Sequence, residues 1–295
     1  MTGKQQDNTK LLGQGAVFLC AVFWSTSGLF IKMLDWHPVV IFGIRSLIAA
    51  GFMFGARTLS MTADRPKNRP LPLWAGAFAY SLTMLTFIIA NKTTTPANAI
   101  LLQYSSPVWA AIFGWFLIRE KPHWENWAAI ALIMGGFIIF FRDGLETGRL
   151  LGDCIAFLSG IIFGIHSVIL RLQKENNPLD SMLLAHVISF IISIPFIFIY
   201  PPALTSSRIL PIIFMGIFQI GTASLLYSYG LKRISAVQAM LTATIEPLLN
   251  PVWVLLFTGE MPSASAITGG CIILAAVLFS AVIGNTRIHY SRNSS

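Results

Sequence analysis

Apolar stretches of about 20 residues follow one another along this chain, and the charges between them come in clusters. A helix of that length spans a hydrocarbon core of roughly 30 Å. Only 11% of the residues are charged, against about a quarter in a soluble domain, and the mean hydropathy is +0.70. A soluble globular domain is excluded, because it would lack the polar surface it needs. The fold class that remains is an all-α polytopic membrane protein in a lipid bilayer.

The net charge of +8 raises the question of a nucleic-acid partner. None is expected, because Lys and Arg flank the apolar runs, where they set orientation, and form no separate basic arm. Cys20, Cys154 and Cys271 all fall inside apolar segments. Their odd number gives no disulfide framework and reads as small apolar filler. Lys4 and Lys10 precede the first run in the manner of a secretion signal. That run outlasts a signal's apolar core of roughly 7–15 residues and has no clear cleavage site, so an uncleaved first span is expected.

Ten spans are predicted, at 13–33, 37–57, 72–92, 97–118, 125–141, 150–172, 179–200, 208–230, 236–258 and 263–284. The face shared with the N-terminus then carries 14 Lys and Arg and the opposite face 5, with Arg45 alone inside a span. This excess predicts cytoplasmic N- and C-termini in an inner (cytoplasmic) membrane. Lys32 and Lys92 read as flank residues snorkelling at span ends. The connections are too short for a soluble catalytic domain.

The chain also repeats itself. "PANAILLQYSSPVWAAIFGWFLIREKP" (96–122) aligns with "AVQAMLTATIEPLLNPVWVLLFTGEMP" (236–262) at a constant shift of 140, and Pro38 falls on Pro178 at the same shift. The predicted organisation is a tail (1–12), a five-helix repeat (13–141), a second five-helix repeat (150–284) and a tail (285–295). Five is odd, so the second repeat is expected to be inverted. Inverted repeats commonly place a substrate site near the midplane, at the repeat interface.

Ten spans, the five-plus-five repeat and the paired "P…(12 residues)…E-x-P" signature resemble the EamA type of the drug/metabolite transporter superfamily. "FWSTSGLFIK" (23–32) and Arg45 add to the likeness, which covers nearly the whole chain. The resemblance implies a central cavity lined by spans 1, 3, 4, 6, 8 and 9, with spans 5 and 10 more peripheral. It also implies transport of amino acids or related metabolites, with export favoured over import.

Within "LTATIEPLLNPVW" (241–253), Glu246 puts a carboxylate at the middle of span 9. Such a group costs roughly 3 kcal/mol and marks a functional site by default. Gln238, Thr242, Glu246 and Asn250 are spaced by four and predict a polar stripe on one helix face. Pro247 cannot donate to the carbonyl of Ala243, nor Pro251 to that of Pro247, and Pro107 does the same for Gln103 in span 4. These three are read as helix kinks that free carbonyls, or as packing features alone. Ser106 stands where the repeat has Glu246, so the carboxylate is not demanded by the scaffold of both halves. Glu246 can serve a substrate amine or a coupling proton; otherwise it pairs with Arg45 or takes a hydrogen bond from His166.

Gln103, Asn98, Gln238 and Asn250 are candidate hydrogen-bonding partners of a solute. Trp24, Tyr80 and Tyr104 lie too deep for the interfacial belts, and Tyr227 is nearer the end of span 8; all four are candidates to stack on a solute or simply to pack. Arg45, about 12 Å into span 2 at helical rise, reads as a structural or ion-pair residue, with a substrate carboxylate as its other use. His166 is a relay candidate beside Glu246 or a packing residue, and His186 a packing residue. No metal cluster, phosphate loop or nucleotide motif occurs, so neither a cofactor nor ATP hydrolysis is expected.

These features predict a secondary transporter of small organic metabolites working by alternating access, with proton coupling and a monomeric or homodimeric state both open. Export of lipophilic drugs or nucleobase-like compounds is the alternative within transporters. An intramembrane enzyme or an accessory membrane subunit are the alternatives outside them.

Overall fold

The computed structural model describes the backbone of residues 3–26, 30, 33–59, 69–94, 96–144, 150–258, 261 and 263–292. Every regular element among them is helical: α1 (Gly3–Ser25), α2 (Pro38–Leu59), α3 (Pro70–Thr93), α4 (Pro96–Gln103), α5 (Ser106–Ile118), α6 (Trp124–Phe140), α7 (Leu150–Leu172), α8 (Pro178–Ile199), α9 (Ser206–Phe214), α10 (Ala223–Leu231), α11 (Ala236–Ala243), α12 (Ile245–Thr258) and α13 (Ala264–Arg292). A 3-10 turn, Arg142–Gly144, follows α6. A π-helical segment, Met215–Thr222, joins α9 to α10. The side chains of Lys32, Lys92, Asn250 and Pro251 lie outside the described residues.

Among the described residues, six helical stretches are long and apolar enough to cross a membrane: Pro38–Leu59, Pro70–Ala90, Asn98–Ile118, Leu150–Leu172, Pro178–Ile199 and Ser206–Leu231. Three more apolar helices are shorter: Trp124–Phe140, Ala236–Leu249 and Ala264–Ser280. The first helix begins at Gly3, inside the segment expected to be a tail, and the last runs to Arg292, beyond the expected end at 284. Large apolar side chains such as Phe54, Phe116, Phe198 and Leu278 stand exposed on the outside. A hydrocarbon surround satisfies them, and helices satisfy their own backbone there.

Local sequence explains the helix starts. Pro38, Pro70 and Pro178 each take a first helical position, where the missing N–H costs nothing. Ser235 caps α11: its Oγ accepts from the Gln238 amide at 3.2 Å while the Gln238 Oε1 accepts from the Ser235 amide at 3.3 Å.

The helices run back and forth between two faces. On the face where α1 begins, Gly13 packs on Gly230 and Arg233, and Arg57 pairs with Asp180 at 3.2 Å. There Arg171 also donates from Nε to Glu120 Oε1 at 2.8 Å and from its guanidinium to the Leu231 carbonyl at 2.8 Å, tying α7 to the ends of α5 and α10. On the opposite face Arg208 meets Asp35 at 2.9 Å. Trp253 Nε1 donates to Ser25 Oγ at 2.8 Å, and the hydroxyls of Ser265 and Ser263 hold the exposed Asp143 carboxyl below its usual range.

Close packing of small residues sets the interior spacing. α7 presents Gly160 and Gly164 to the α4–α5 stretch. A Cβ at Gly160 would stand 2.8 Å from the carbonyls of Leu102 and Gln103, and one at Gly164 2.9 Å from the Ala110 amide. α6 and α13 pack on each other in the same way, with Gly269 against the Gly136 carbonyl. Gly164→Ala is therefore expected to lower stability by about 1–3 kcal/mol through overpacking. Gly135→Ala, with nothing within 4 Å of the new carbon among the described residues, should be neutral or stabilising. Thermal unfolding of both variants in detergent checks the contrast.

Candidate functional site

Two helices of this bundle are broken at positions 140 residues apart. α4 ends at Gln103 and α5 starts at Ser106, with Pro107 just inside its first turn; α11 ends at Ala243 and α12 starts at Ile245, with Pro247 just inside. In each case a proline cannot donate backward, and its ring crowds the carbonyl four residues before it. The helix lets go there and restarts. Pro251 behaves differently, since α12 runs through it without interruption.

The two breaks meet through one side chain. Tyr104 stands at the first break, and its hydroxyl donates to Glu246 Oε2 at 2.6 Å. The same hydroxyl lies 3.3 Å from the Ala243 carbonyl, which Pro247 has left without its helical partner. Glu246 is partly buried and Tyr104 buried. The bond joins groups 142 residues apart. A hydrogen bond to a charged group returns about 1.5–3 kcal/mol, close to the roughly 3 kcal/mol that placing a carboxylate at mid-membrane costs. The bond thus offsets much of what the partly buried carboxylate costs.

Aromatic rings continue the site. Trp24 of α1 lies 5.2 Å from the Tyr227 ring and 6.0 Å from Phe163. Tyr227 shares a 2.7 Å hydrogen bond with Ser167. Tyr80 stacks on His166 at 4.6 Å and 14°, and meets His186 edge-on at 5.6 Å. Tyr80 lies within electrostatic reach of Glu246, and Tyr104 of Tyr227. Trp24, Tyr227, Phe163, His166 and Tyr80 therefore form one buried chain of ring contacts, and Tyr104 and Glu246 a hydrogen-bonded pair within electrostatic reach of it.

Other candidate residues sit elsewhere. Gln238 spends its side chain on the capping box of α11. Asn98 donates to Asp153 Oδ1 at 3.0 Å, beside Thr94, which donates to the same oxygen at 2.6 Å. Gln103 donates to Ser159 Oγ at 3.0 Å, and Ser159 donates in turn to the Thr83 carbonyl at 3.1 Å. His166 bonds the Gly76 carbonyl at 3.1 Å and not Glu246. Arg45 is bonded to Gln219 at 3.4 Å, and among the described residues no carboxylate lies within 4 Å of it. Asn250 is outside the described side chains.

Several contributors do not stand out in the sequence. Gln219, Ser167 and Ser224 are polar residues inside apolar runs, and that is the one signal they offer. Phe163, which packs between Trp24 and His166, carries no mark that separates it from the other phenylalanines.

An all-helical bundle with an oily exterior and a polar, aromatic interior defines a multi-pass membrane protein. The model of the EamA-like transporter family matches residues 11–142 and again 150–282. The chain belongs to that family, and it is a transporter and not an enzyme. An uncharacterized transporter of Clostridium kluyveri is 25% identical, over 94% of this chain and 92% of the relative. Solute carrier family 35 member G1 of Homo sapiens is 23% identical, over 92% of this chain and 79% of the relative. A probable terminal-alkyne amino-acid exporter of Streptantibioticus cattleyicolor is 20% identical, over 89% and 91%. A chain of known crystal structure shares the fold with a TM-score of 0.79 at 18% identity, over 94% of this chain and 97% of that one.

The Tyr104–Glu246 bond gives a direct test of the site's construction. Tyr104→Phe should cost about 1–3 kcal/mol, because it strips a donor from a partly buried carboxylate. A double-mutant cycle with Glu246→Gln, read by thermal unfolding in detergent, should show coupling above about 0.5 kcal/mol. Strictly additive changes mean the bond contributes nothing.

Proposed function

We propose that this chain is a secondary transporter that exports amino acids or closely related metabolites, preferring apolar or aromatic side chains, by alternating access. In this reading ten spans form two inverted five-helix repeats, 13–141 and 150–284, in the inner membrane with both termini cytoplasmic. The observation that carries the reading is the bond from Tyr104 to Glu246, which joins the two broken helices at their breaks. Inverted-repeat transporters place their sites at such discontinuities, where freed backbone groups and a titratable side chain face the same point. The name of the Streptantibioticus cattleyicolor relative supports the substrate class.

The geometry supplies a working step. Tyr104 has one hydroxyl proton and two acceptors in reach, Glu246 Oε2 at 2.6 Å and the Ala243 carbonyl at 3.3 Å. When an ammonium or a proton neutralises Glu246, the hydroxyl can turn to the Ala243 carbonyl. Charge at Glu246 then decides whether the two breaks are held by a side chain or by the backbone of α11. The buried ring cluster of Trp24, Tyr80 and Tyr227 suits an organic cation or zwitterion.

Counterflow of labelled phenylalanine in proteoliposomes tests this, with and without a pH gradient. Wild type should exchange phenylalanine, and other amino acids should compete. Glu246→Gln should lower exchange roughly tenfold or more and remove any dependence on the gradient. Exchange at the wild-type rate in Glu246→Gln removes the carboxylate from the mechanism. Competition by nucleobases or cationic drugs, and none by amino acids, replaces the substrate class.

A further inference from the structure

Arg45 does not belong to the bond network that holds Glu246. It lies on α2 and is 7% exposed. One terminal nitrogen donates to Gln219 Oε1 at 3.4 Å, the long limit for such a bond. Its Nε is buried and, among the described residues, has no acceptor. A buried guanidinium without a carboxylate is costly, and a single long bond to a neutral amide returns only a small part of that cost.

The surroundings are also polar and incompletely satisfied. Among the described residues, Ser46 Oγ, next on the same helix, has no hydrogen-bond partner, and neither has His186 Nδ1; both are buried. The other nitrogen of His186 bonds Ser224 Oγ at 3.2 Å. Arg45 lies within electrostatic reach of both His186 and Tyr80. Gln219 is carried by the π-helical segment, a distortion frequent at functional sites. Gly216, in that segment, lets its backbone close on α2: a Cβ there would stand 2.5 Å from Ile48 and 3.1 Å from the Arg45 carbonyl. The π turn therefore clamps the arginine's backbone while Gln219 holds its head.

We propose that Arg45, with Gln219 as its positioning partner, is the site that receives a carboxylate group of the transported solute. A carboxylate would take the fork of the guanidinium, satisfy Nε and displace the weak Gln219 contact. Tyr80 lies within electrostatic reach of both Arg45 and Glu246, so a solute could set its carboxylate at Arg45 and its ammonium toward Glu246. This pairing rests on the amino-acid reading above; the carboxylate site itself does not. The cluster is shut off in the conformation seen, so the solute enters it in another conformation of the cycle.

The experiment uses the full chain in proteoliposomes and three probes: phenylalanine, phenylalaninamide (no carboxylate) and 3-phenylpropionate (no amine). Half-saturating concentrations come from counterflow and from stabilisation against thermal unfolding. Wild type should favour phenylalanine over phenylalaninamide by roughly tenfold or more, as expected for loss of a charged hydrogen-bonding partner. In Arg45→Gln that ratio should fall toward one, and Arg45→Lys, which keeps the charge but loses the fork, should fall between. An equal affinity of wild type for acid and amide overturns the proposal, whether or not Arg45→Gln folds, and so does an unaltered ratio in a folded Arg45→Gln or Arg45→Lys. If 3-phenylpropionate matches phenylalanine and both exceed the amide, the carboxylate site stands and the amino-acid reading falls. If acid and amide are equal and both exceed 3-phenylpropionate, the carboxylate site falls and recognition of the amine stands. No interaction with any probe overturns both.

Discussion

A backbone in hydrocarbon has no water to satisfy its amides and carbonyls, so a helix may be interrupted only where the gap faces other protein. In this chain the α4–α5 and α11–α12 interruptions face inward, toward each other. Tyr104 closes the distance between them, and α7 supplies a glycine surface on which the first interruption rests. The remaining helices serve this arrangement. They form a sheath that is oily outside and lined inside by rings, serines and histidines.

The parts of the fold that rest on composition were legible in the sequence. Apolar runs mark the helices, because a bilayer demands length and hydropathy and little else. Helix interruptions could be read from Pro107 and Pro247, since proline's missing N–H acts on its own helix. The ends were harder to read. α1 starts at Gly3 and α13 reaches Arg292, because polar residues beyond the hydrocarbon continue a helix that has already nucleated.

Of the site, the depth of Glu246 and Arg45 was visible, because a charge inside an apolar run stands out against its neighbours. Their partners were not. No spacing rule couples residues 142 or 174 apart. The stripe from Gln238 to Glu246 keeps its spacing across the interruption at Thr244, and both of its ends are only partly buried, but the sequence does not show what each side chain binds. Gln238 is also three residues after Ser235, where the nearest unsatisfied group is an amide of its own helix end. The π segment left no compositional trace, because one extra residue per turn changes which side chains meet without changing which are present.

Arg171 carries a consequence for how the bundle can move. Its guanidinium binds Glu120 at the end of α5 and the Leu231 carbonyl at the end of α10, while its own backbone belongs to α7. Three helix termini are riveted at a single point. Moving any one of them away from the others breaks a 2.8 Å charge-assisted hydrogen bond, so the arrangement favours motion of the three as a unit.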